Sequence, residues 1–542
     1  MPEEEARAAG DPGQDELPAQ AEPAGRSPDH LSARVESDLP ESLRYRLKRA
    51  FLGPPLVSEQ LSGQRLGKPT ALAVLSSDVM SSSAYATEQI LYILIPVVGL
   101  AAYSLVTPIT LVILTVLAFV TLCYRDVVRN YPKAGGSYVV SRENFGHGVA
   151  QIAGAALLIS YTITVSVSVS AGTAAIVSAV PSLHSATVPL SVAFVLLLAY
   201  GNLRGIKEAG RSFAVPTYFF IVNMAVLIGI GLVRWASGSL PAHAIQRAGA
   251  LPAGHAGSGL LLGASLFYVL RAFANGGSAM TGTEAISNGV SVFRDPQARN
   301  ARTTLVMMSC ILGAMFLGVS LLAAISHPVP FASGTPTVVS QIGRFVYGSG
   351  AGTVGYVSLQ AATALILILA ANTSFTGFPL LVSFVAEDAF LPRQLTRRGH
   401  RLVFSNGIIL LTGAAIALVL ATGARVASLI PMYAIGVFTG FTMAGFGMTR
   451  HHLRTKEAGW RRGVFVNAVA GVVCLLVDLI FAITEFTRGA WLVVILMPLL
   501  VYTLVRLNRR YTQEAEVLQE GAVIAAEAPA LRRHVVLVMV DT

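Results

Sequence analysis

Apolar runs long enough to cross a membrane follow one another along most of this chain, and two of them are interrupted. The first interrupted run lies at 68–100, where apolar sequence stops after Leu75 and resumes at Ile90, with five serines and Asp78 between them. Non-helical backbone at membrane depth is tolerated only where it is buried in protein or lines a cavity. We therefore predict a discontinuous first membrane helix with Asp78 at its break, in preference to two short interfacial helices joined by a serine-rich turn.

The sixth apolar run repeats this anomaly. Residues 259–273 are apolar except for Arg271, and the glycine-rich stretch 274–284 separates them from a second apolar stretch at 285–293. Glycines within such a stretch disfavour a continuous helix. Broken helices at positions one and six predict two five-helix repeats of inverted topology with a binding site between them. We expect an all-α membrane protein of twelve spanning helices, the last two accessory, near 70–98, 104–124, 149–180, 186–202, 213–234, 259–293, 304–326, 351–386, 404–422, 426–447, 464–484 and 489–505.

Charge sets the orientation of these helices. Only 13% of the 542 residues are charged, against about 25% in soluble domains. The net charge of +10 comes from basic clusters in alternate loops, which indicates membrane topology and not a nucleic-acid partner. With the N-terminus inside, the outer loops hold only Arg234, Arg247, Arg344, Arg425 and Arg488. We predict a multi-pass protein of the cell membrane with both termini cytoplasmic.

The ends of the chain differ from its membrane part. Residues 1–42 are rich in proline, alanine and acids, which predicts a disordered cytoplasmic tail, and the basic amphipathic stretch 43–68 is expected on the inner membrane surface. The transporter domain covers 69–510. In the cytoplasmic tail 511–542, residues 532–541 have the pattern of one strand of a soluble domain that would be cut short. The predicted partners are the lipid bilayer and a small cation, with a second copy of the chain as a candidate.

Three motifs carry a resemblance to a known family: SSDVMSSSAYATEQ at 76–89, YPKAGGSY at 131–138 and TGTEAISNG at 281–289. Over roughly 65–510 the chain resembles the KimA-type potassium importers of the Kup group, within the amino acid–polyamine–organocation superfamily. The second motif, and DAFLP at 388–392, are shared more widely across that superfamily. The resemblance implies a LeuT-type fold and potassium–proton symport, with no cofactor beyond the potassium and protons that are transported.

The resemblance also implies which residues hold the ion. Ser160 departs from the family pattern, which has an aspartate there, so one carboxylate of the ion pathway is missing. The implied positions are Asp78, Tyr85, Ser160, Thr164, Ser168, Thr281, Glu284 and Tyr433.

The residue types support a cation site independently. A carboxylate at membrane depth, such as Asp78, is a functional-site hypothesis by default, and potassium needs several oxygen ligands to replace its hydration shell. Thr164 and Ser168, four residues apart, fit either cation ligands or close helix packing. Glu284, at the start of the second half-helix, fits either a proton carrier or an acid stabilised by the helix dipole. Arg271 either snorkels outward or pairs with an acid.

Other functions stay open beside potassium uptake. An amino acid or polyamine permease on the same fold is the first alternative, although Asp78 would repel a substrate carboxylate and would suit a polyamine better. A non-transporting membrane sensor is the second, and the twin broken helices argue against it. No catalytic triad or nucleotide-binding loop indicates an enzyme. We expect Glu88 to line the outer vestibule, and Asp478 and Glu485 to snorkel or to pair with neighbours.

Overall fold

The computed structural model describes residues 66–132, 135–204, 209–240, 242–259, 261–396 and 404–526. Within these ranges the secondary structure is helical, and β contacts are limited to isolated bridges between Leu66 and Phe293 and between Ala250 and Phe331. The predicted all-α class is confirmed. The tail 1–42, most of the stretch 43–68 and the strand expected at 532–541 lie outside the described residues.

The α-helices differ widely in length. In chain order they are α1 (Lys68–Leu75), α2 (Ser77–Ser82), α3 (Ala86–Val98), α4 (Ala102–Asn130), α5 (Gly136–Phe145), α6 (His147–Ala179), α7 (Thr187–Leu203), α8 (Ala209–Ala236), α9 (Leu266–Gly276), α10 (Ala285–Asn288), α11 (Gln297–Ser326), α12 (Val338–Tyr347), α13 (Gly352–Glu387), α14 (Ser405–Thr422), α15 (Val426–Thr455), α16 (Trp460–Thr484) and α17 (Ala490–Ala526). Helix α17 continues through the first part of the predicted tail.

Ten helical stretches among the described residues are long and apolar enough to cross a membrane. One of them, Ser77–Asn130, includes both α3 and α4, which the 3₁₀ turn Gly99–Ala101 separates. The broken segment α9–α10 is not one of the ten. The chain is therefore a multi-pass membrane protein, and the count of twelve spanning helices stays a prediction.

The first membrane segment is interrupted twice. Ser76 separates α1 from α2, and a turn at 83–85 separates α2 from α3. Asp78 therefore lies within a six-residue helix between two interruptions, and not in one unwound stretch. Because no continuous helix joins Asp78 to Tyr85, their seven-residue spacing does not by itself give them a common face.

The sixth segment breaks at its glycines. Helix α9 ends at Gly276, the 3₁₀ turn Gly277–Met280 follows, and the chain is extended at Thr281 before it reaches α10. Gly282 has a φ of +83°, a conformation that glycine adopts without the steric cost that a Cβ atom brings. Helix α9 packs against α3, and the 3₁₀ turn packs against α2. The two breaks therefore meet.

Helix α6 is the centre of the bundle. The most apolar 18-residue stretch of α6 is 89% buried, whereas the corresponding stretch of Ala490–Val517 is 17% buried. It packs against α13 and α15, and small residues allow close approach there. A Cβ atom added at Gly172 would lie 2.9 Å from Ile368 Cγ1 on α13. The site described next lies between this enclosed helix and the two broken segments.

Candidate functional site

Asp78 meets the break of the sixth segment through its carboxylate. The residue is 5% exposed, and a Cβ atom added at Gly282 would lie 2.5 Å from Asp78 Oδ2. The carboxylate therefore rests directly against the Gly282 backbone, and it interacts electrostatically with Glu284. Two carboxyl groups, one from each broken segment, share one buried region. A cation or a proton between them would relieve their mutual repulsion.

Ser82 connects the two breaks. Its Oγ lies 3.0 Å from Tyr85 Oη and 3.4 Å from Thr281 Oγ1. Thr281 Oγ1 also donates to the Ser278 carbonyl at 2.7 Å. Ser82 was not among the predicted site residues, although it contacts two of them, Tyr85 and Thr281, the second of which is 199 positions away in sequence. Three hydroxyl groups thus form a continuous polar layer where the segments cross.

Helix α6 contributes residues in two different settings. Thr164 donates to the Ser160 carbonyl at 2.8 Å, and Tyr433 on α15 lies beside Thr164 and interacts electrostatically with Asp78. Ser160 packs against α15, because a Cβ atom added at Gly436 would lie 3.4 Å from Ser160 Cβ. The Ser160 hydroxyl is buried and has no hydrogen-bond partner in the described part of the chain. Ser168 is buried on the same helix.

Glu284 immediately precedes α10, as the sequence predicted. It is 4% exposed, and its Oε2 atom is buried with no hydrogen-bond partner among the described residues. A buried carboxylate oxygen without a partner is costly when the group is charged. This oxygen is therefore a candidate to carry a proton or to face a cation.

Two cavities flank this region and reach different parts of α6. The first, here called the Asp78 cavity, has a volume of about 340 Å³ and reaches Leu157 and Thr164 on α6. The second, here called the Glu88 cavity, has a volume of about 320 Å³ and reaches Ala171, Ala174 and Ala175 on the same helix. The Asp78 cavity also contains Ser77, Tyr161, Gly282, Glu284 and Asn288. The Glu88 cavity also contains Tyr85, Gln89, Tyr92, Thr337 and Ser428.

The predicted site residues distribute around these cavities. Asp78, Thr164 and Glu284 line the Asp78 cavity, and Tyr85 lines the Glu88 cavity. Thr281 and Tyr433 are buried next to the hydroxyl layer between them. Ser160 and Ser168 line neither of the two. Asn288, which sequence reasoning did not single out, donates to Tyr161 Oη at 2.7 Å beside Glu284.

A polar cluster joins two of the sequence motifs near the Asp78 cavity. Tyr138 Oη donates to Asp388 Oδ2 at 2.7 Å, and Arg142 lies 3.3 Å from the same carboxylate. Burial raises the pKa of the Tyr138 phenol, so it stays a donor at neutral pH. The YPKAGGSY motif and the DAFLP motif are therefore parts of one contact between α5 and the end of α13.

Arg271 is paired with an acid. Arg271 on α9 donates to Glu485 through Nε at 2.5 Å and Nη2 at 2.9 Å, and Asn275 donates to the same carboxylate at 2.7 Å. Asp478 accepts from Thr439 at 2.6 Å. Of the two alternatives for Arg271, the structure shows pairing with an acid. In the described part of the chain, His, Cys, Asp and Glu form no group of three or more that would hold a metal.

Comparison with known proteins gives relatives that are transporters. A family described as amino acid permease matches residues 66–504. The potassium transporter KimA of Bacillus subtilis strain 168 is 40% identical over 499 residues, which is 92% of this chain and 79% of that protein. The branched-chain amino acid permease BcaP of Lactococcus lactis subsp. cremoris strain MG1363 is 24% identical over 369 residues, 63% of this chain and 73% of that protein.

Among solved structures, the crystal structure of the Eremococcus coleocola manganese transporter, in complex with an aromatic bis-isothiourea substituted compound, is similar to this chain. The two share 14% sequence identity, with a TM-score of 0.41, over 87% of this chain and 95% of the other.

Proposed function

We propose that this chain, which belongs to the amino acid permease family, is a secondary transporter that takes up potassium ions together with protons. The resemblance to the KimA-type importers is confirmed by 40% identity over 92% of the chain, and with it the LeuT-type helical fold. The observation that carries the potassium proposal is the Asp78 carboxylate, held against Gly282 where the two broken segments meet.

The oxygen atoms around Asp78 suit a monovalent cation. Tyr85, Thr281 and Thr164 supply neutral oxygens near one fixed carboxylate, and potassium is bound by replacing its hydration shell with several such oxygens. Tyr433 adds a phenol from α15. Ser168 and Ser160 complete the proposed ligand set from α6, with the unpartnered Ser160 hydroxyl as a neutral ligand where the family has an aspartate.

Glu284 is the proposed proton-coupling residue. Its carboxyl group interacts with that of Asp78, and no described residue forms a hydrogen bond with its Oε2. A proton on Glu284 would remove its repulsion of the Asp78 carboxylate, so that Asp78 would stay charged and hold potassium while Glu284 carries the proton. Ion and proton occupancy are coupled through this repulsion, with potassium and protons as the ions involved and no further cofactor.

The orientation follows from the basic loops. We place the protein in the cell membrane with both termini in the cytoplasm, so that the Glu88 cavity opens to the outside and the Asp78 cavity to the inside. Alternating access would then open one cavity at a time to the Asp78 region. The lipid bilayer and a small cation are the proposed partners, and a second copy of the chain is a candidate.

An amino acid or polyamine permease is the second candidate. Two observations favour it: Ser160 replaces a carboxylate of the ion pathway, and the Asp78 cavity, at about 340 Å³, is far larger than a potassium ion. The fixed charge of Asp78 opposes a substrate carboxylate and leaves a polyamine as the better fit of the two.

Purified protein in proteoliposomes separates these candidates. We expect wild-type protein to take up rubidium, as a tracer for potassium, and not amino acids or polyamines. Asp78→Asn keeps the shape of the side chain and removes its charge, so uptake should fall at least about tenfold, since a desolvated carboxylate–cation contact is worth more than 1.4 kcal/mol. Glu457→Gln removes an exposed acid between α15 and α16 and should transport normally. Wild-type rates in Asp78→Asn, or amino acid uptake without rubidium uptake, would contradict the proposal.

A further inference from the structure

We propose that Glu88 forms a second cation subsite, at the outer entrance, where potassium binds before it reaches Asp78. This inference rests on the proposed function and orientation, and it assigns a role to a buried acid that the transport site does not use.

The surroundings of Glu88 set it apart from the other buried charges. The residue lies on α3, is 7% exposed and lines the Glu88 cavity. In the described part of the chain, no Lys, Arg or His side chain lies within 4.0 Å of its carboxylate. Glu485, by contrast, is matched by Arg271. An unpaired carboxylate at membrane depth is costly and marks an ion pathway.

One protein donor approaches the Glu88 carboxylate. The backbone N–H of Val338, the first residue of α12, donates to Glu88 Oε2 at 3.1 Å. The other carboxylate oxygen of Glu88, Oε1, has no hydrogen bond to a described residue. The Glu88 side chain lies on the wall of the Glu88 cavity. One oxygen is therefore held in place, and the second is available to a cation.

Glu88 lies next to the hydroxyl layer. Tyr85, three residues earlier, lines the same cavity and reaches Thr281 through Ser82. Tyr85 is the residue before the first turn of α3, the turn that carries Glu88. We infer that a cation leaving Glu88 inward meets the Tyr85 phenol next. Gln89 and Ser428 offer further neutral oxygens on the same wall.

Two basic side chains, those of Arg425 and His184, also face this cavity. Arg425 is exposed and donates to the Thr422 carbonyl at 3.3 Å. His184 lies in the 3₁₀ turn Pro181–Ala186 before α7. Neither pairs with Glu88. Arg425 reduces the attraction for cations at the rim, and Glu88 is the acidic side chain on the described wall of the cavity.

The test separates charge from shape. Glu88→Gln keeps the size of the side chain and an oxygen that can accept from Val338 N–H, so only the charge is lost. We expect the KM for external rubidium to rise about tenfold with Vmax retained, because one partly desolvated charge contact is removed. Glu88→Asp, which keeps the charge, should stay close to the wild-type KM. Arg425→Gln, which removes the opposite charge from the same cavity, should not raise the KM.

Different failures have different meanings. If wild-type protein takes up rubidium and Glu88→Gln has an unchanged KM, the subsite is wrong while the proposed function stands. A loss of Vmax in both Glu88 variants at unchanged KM would also overturn the subsite, because it would indicate a structural contact with α12. Absence of rubidium and potassium uptake by the wild-type protein would overturn the proposed function, and the subsite with it.

Discussion

Gly282 shows how one residue without a side chain shapes the chemistry of its neighbours. Its φ of +83° and the 2.5 Å that would separate an added Cβ from Asp78 Oδ2 leave no room for another amino acid. The close approach brings Asp78 toward Glu284, two residues further on. The interaction between the two carboxyl groups therefore depends on a position that carries no functional group itself.

At the scale of single residues, the testable prediction concerns Glu284. In Glu284→Gln the side chain keeps its size and loses the proton that it would exchange. Rubidium accumulation driven only by an inward pH gradient should fall to the level of protein-free liposomes, whereas rubidium–rubidium exchange should persist because Asp78 is intact. Tracer accumulation and counterflow in the same vesicles measure both. Full pH-driven accumulation by the variant would show that Glu284 does not couple protons to transport.

Sequence reasoning reached Asp78 and Glu284 and missed the residues that join them. A carboxylate inside an apolar run stands out because its burial is costly, and glycines within such a run indicate a break. Ser82 carries no such signal, because it is one of five serines near Asp78 and nothing in the sequence distinguishes it from the other four. Its importance comes from a contact with Thr281 that exists only when the two segments have folded together.

At the scale of elements, the ion pair of Arg271 and Glu485 fastens α9 to the end of α16. Both side chains are buried, at 9% and 1% exposure, and Asn275 adds a third polar contact. The half of the sixth segment that precedes its break is therefore held against the end of α16. The sequence left Arg271 with two alternatives, because its partner lies 214 positions away.

Breaking this pair from one side should be costly. Arg271→Gln or Glu485→Gln leaves a buried charge without its partner, which costs about 3–5 kcal/mol. The double variant should lose less than the sum of the two single losses, because no uncompensated charge remains. Unfolding of the purified protein in detergent measures the cycle. Arg488→Gln, an exposed arginine three residues after Glu485, is the control and should be neutral; strictly additive losses would mean that the pair is not coupled.

At the scale of the whole molecule, two cavities flank one polar layer and reach different parts of α6. The apolar runs and their breaks predicted this bundle, because each run must be long enough to span a membrane. The cavities themselves were not predictable beyond the expectation that Glu88 faces the outer one, since their walls combine residues from helices far apart in sequence.

The orientation of the cavities is open to direct measurement. A cysteine introduced by Ser428→Cys lies in the Glu88 cavity, and one introduced by Ser291→Cys lies in the Asp78 cavity. In a Cys310→Ser background, which removes the exposed native thiol, a membrane-impermeant maleimide should label Ser428→Cys from outside the cell. Ser291→Cys should be labelled only in inside-out vesicles. Labelling of both from one side would contradict the assignment of the two cavities to opposite faces.

The thinness of the hydroxyl layer has an electrical consequence. Water in the two cavities would bring the potential of each bathing solution close to the Ser82–Tyr85–Thr281 contact, so most of the membrane voltage would fall across a few ångströms of protein. A potassium ion crossing that short distance would then move through nearly the whole field, which is worth about 2.3 kcal/mol per elementary charge at 100 mV. The resting potential of the cell would thereby act on the step at which the ion passes Tyr85, and much less on its diffusion through either cavity.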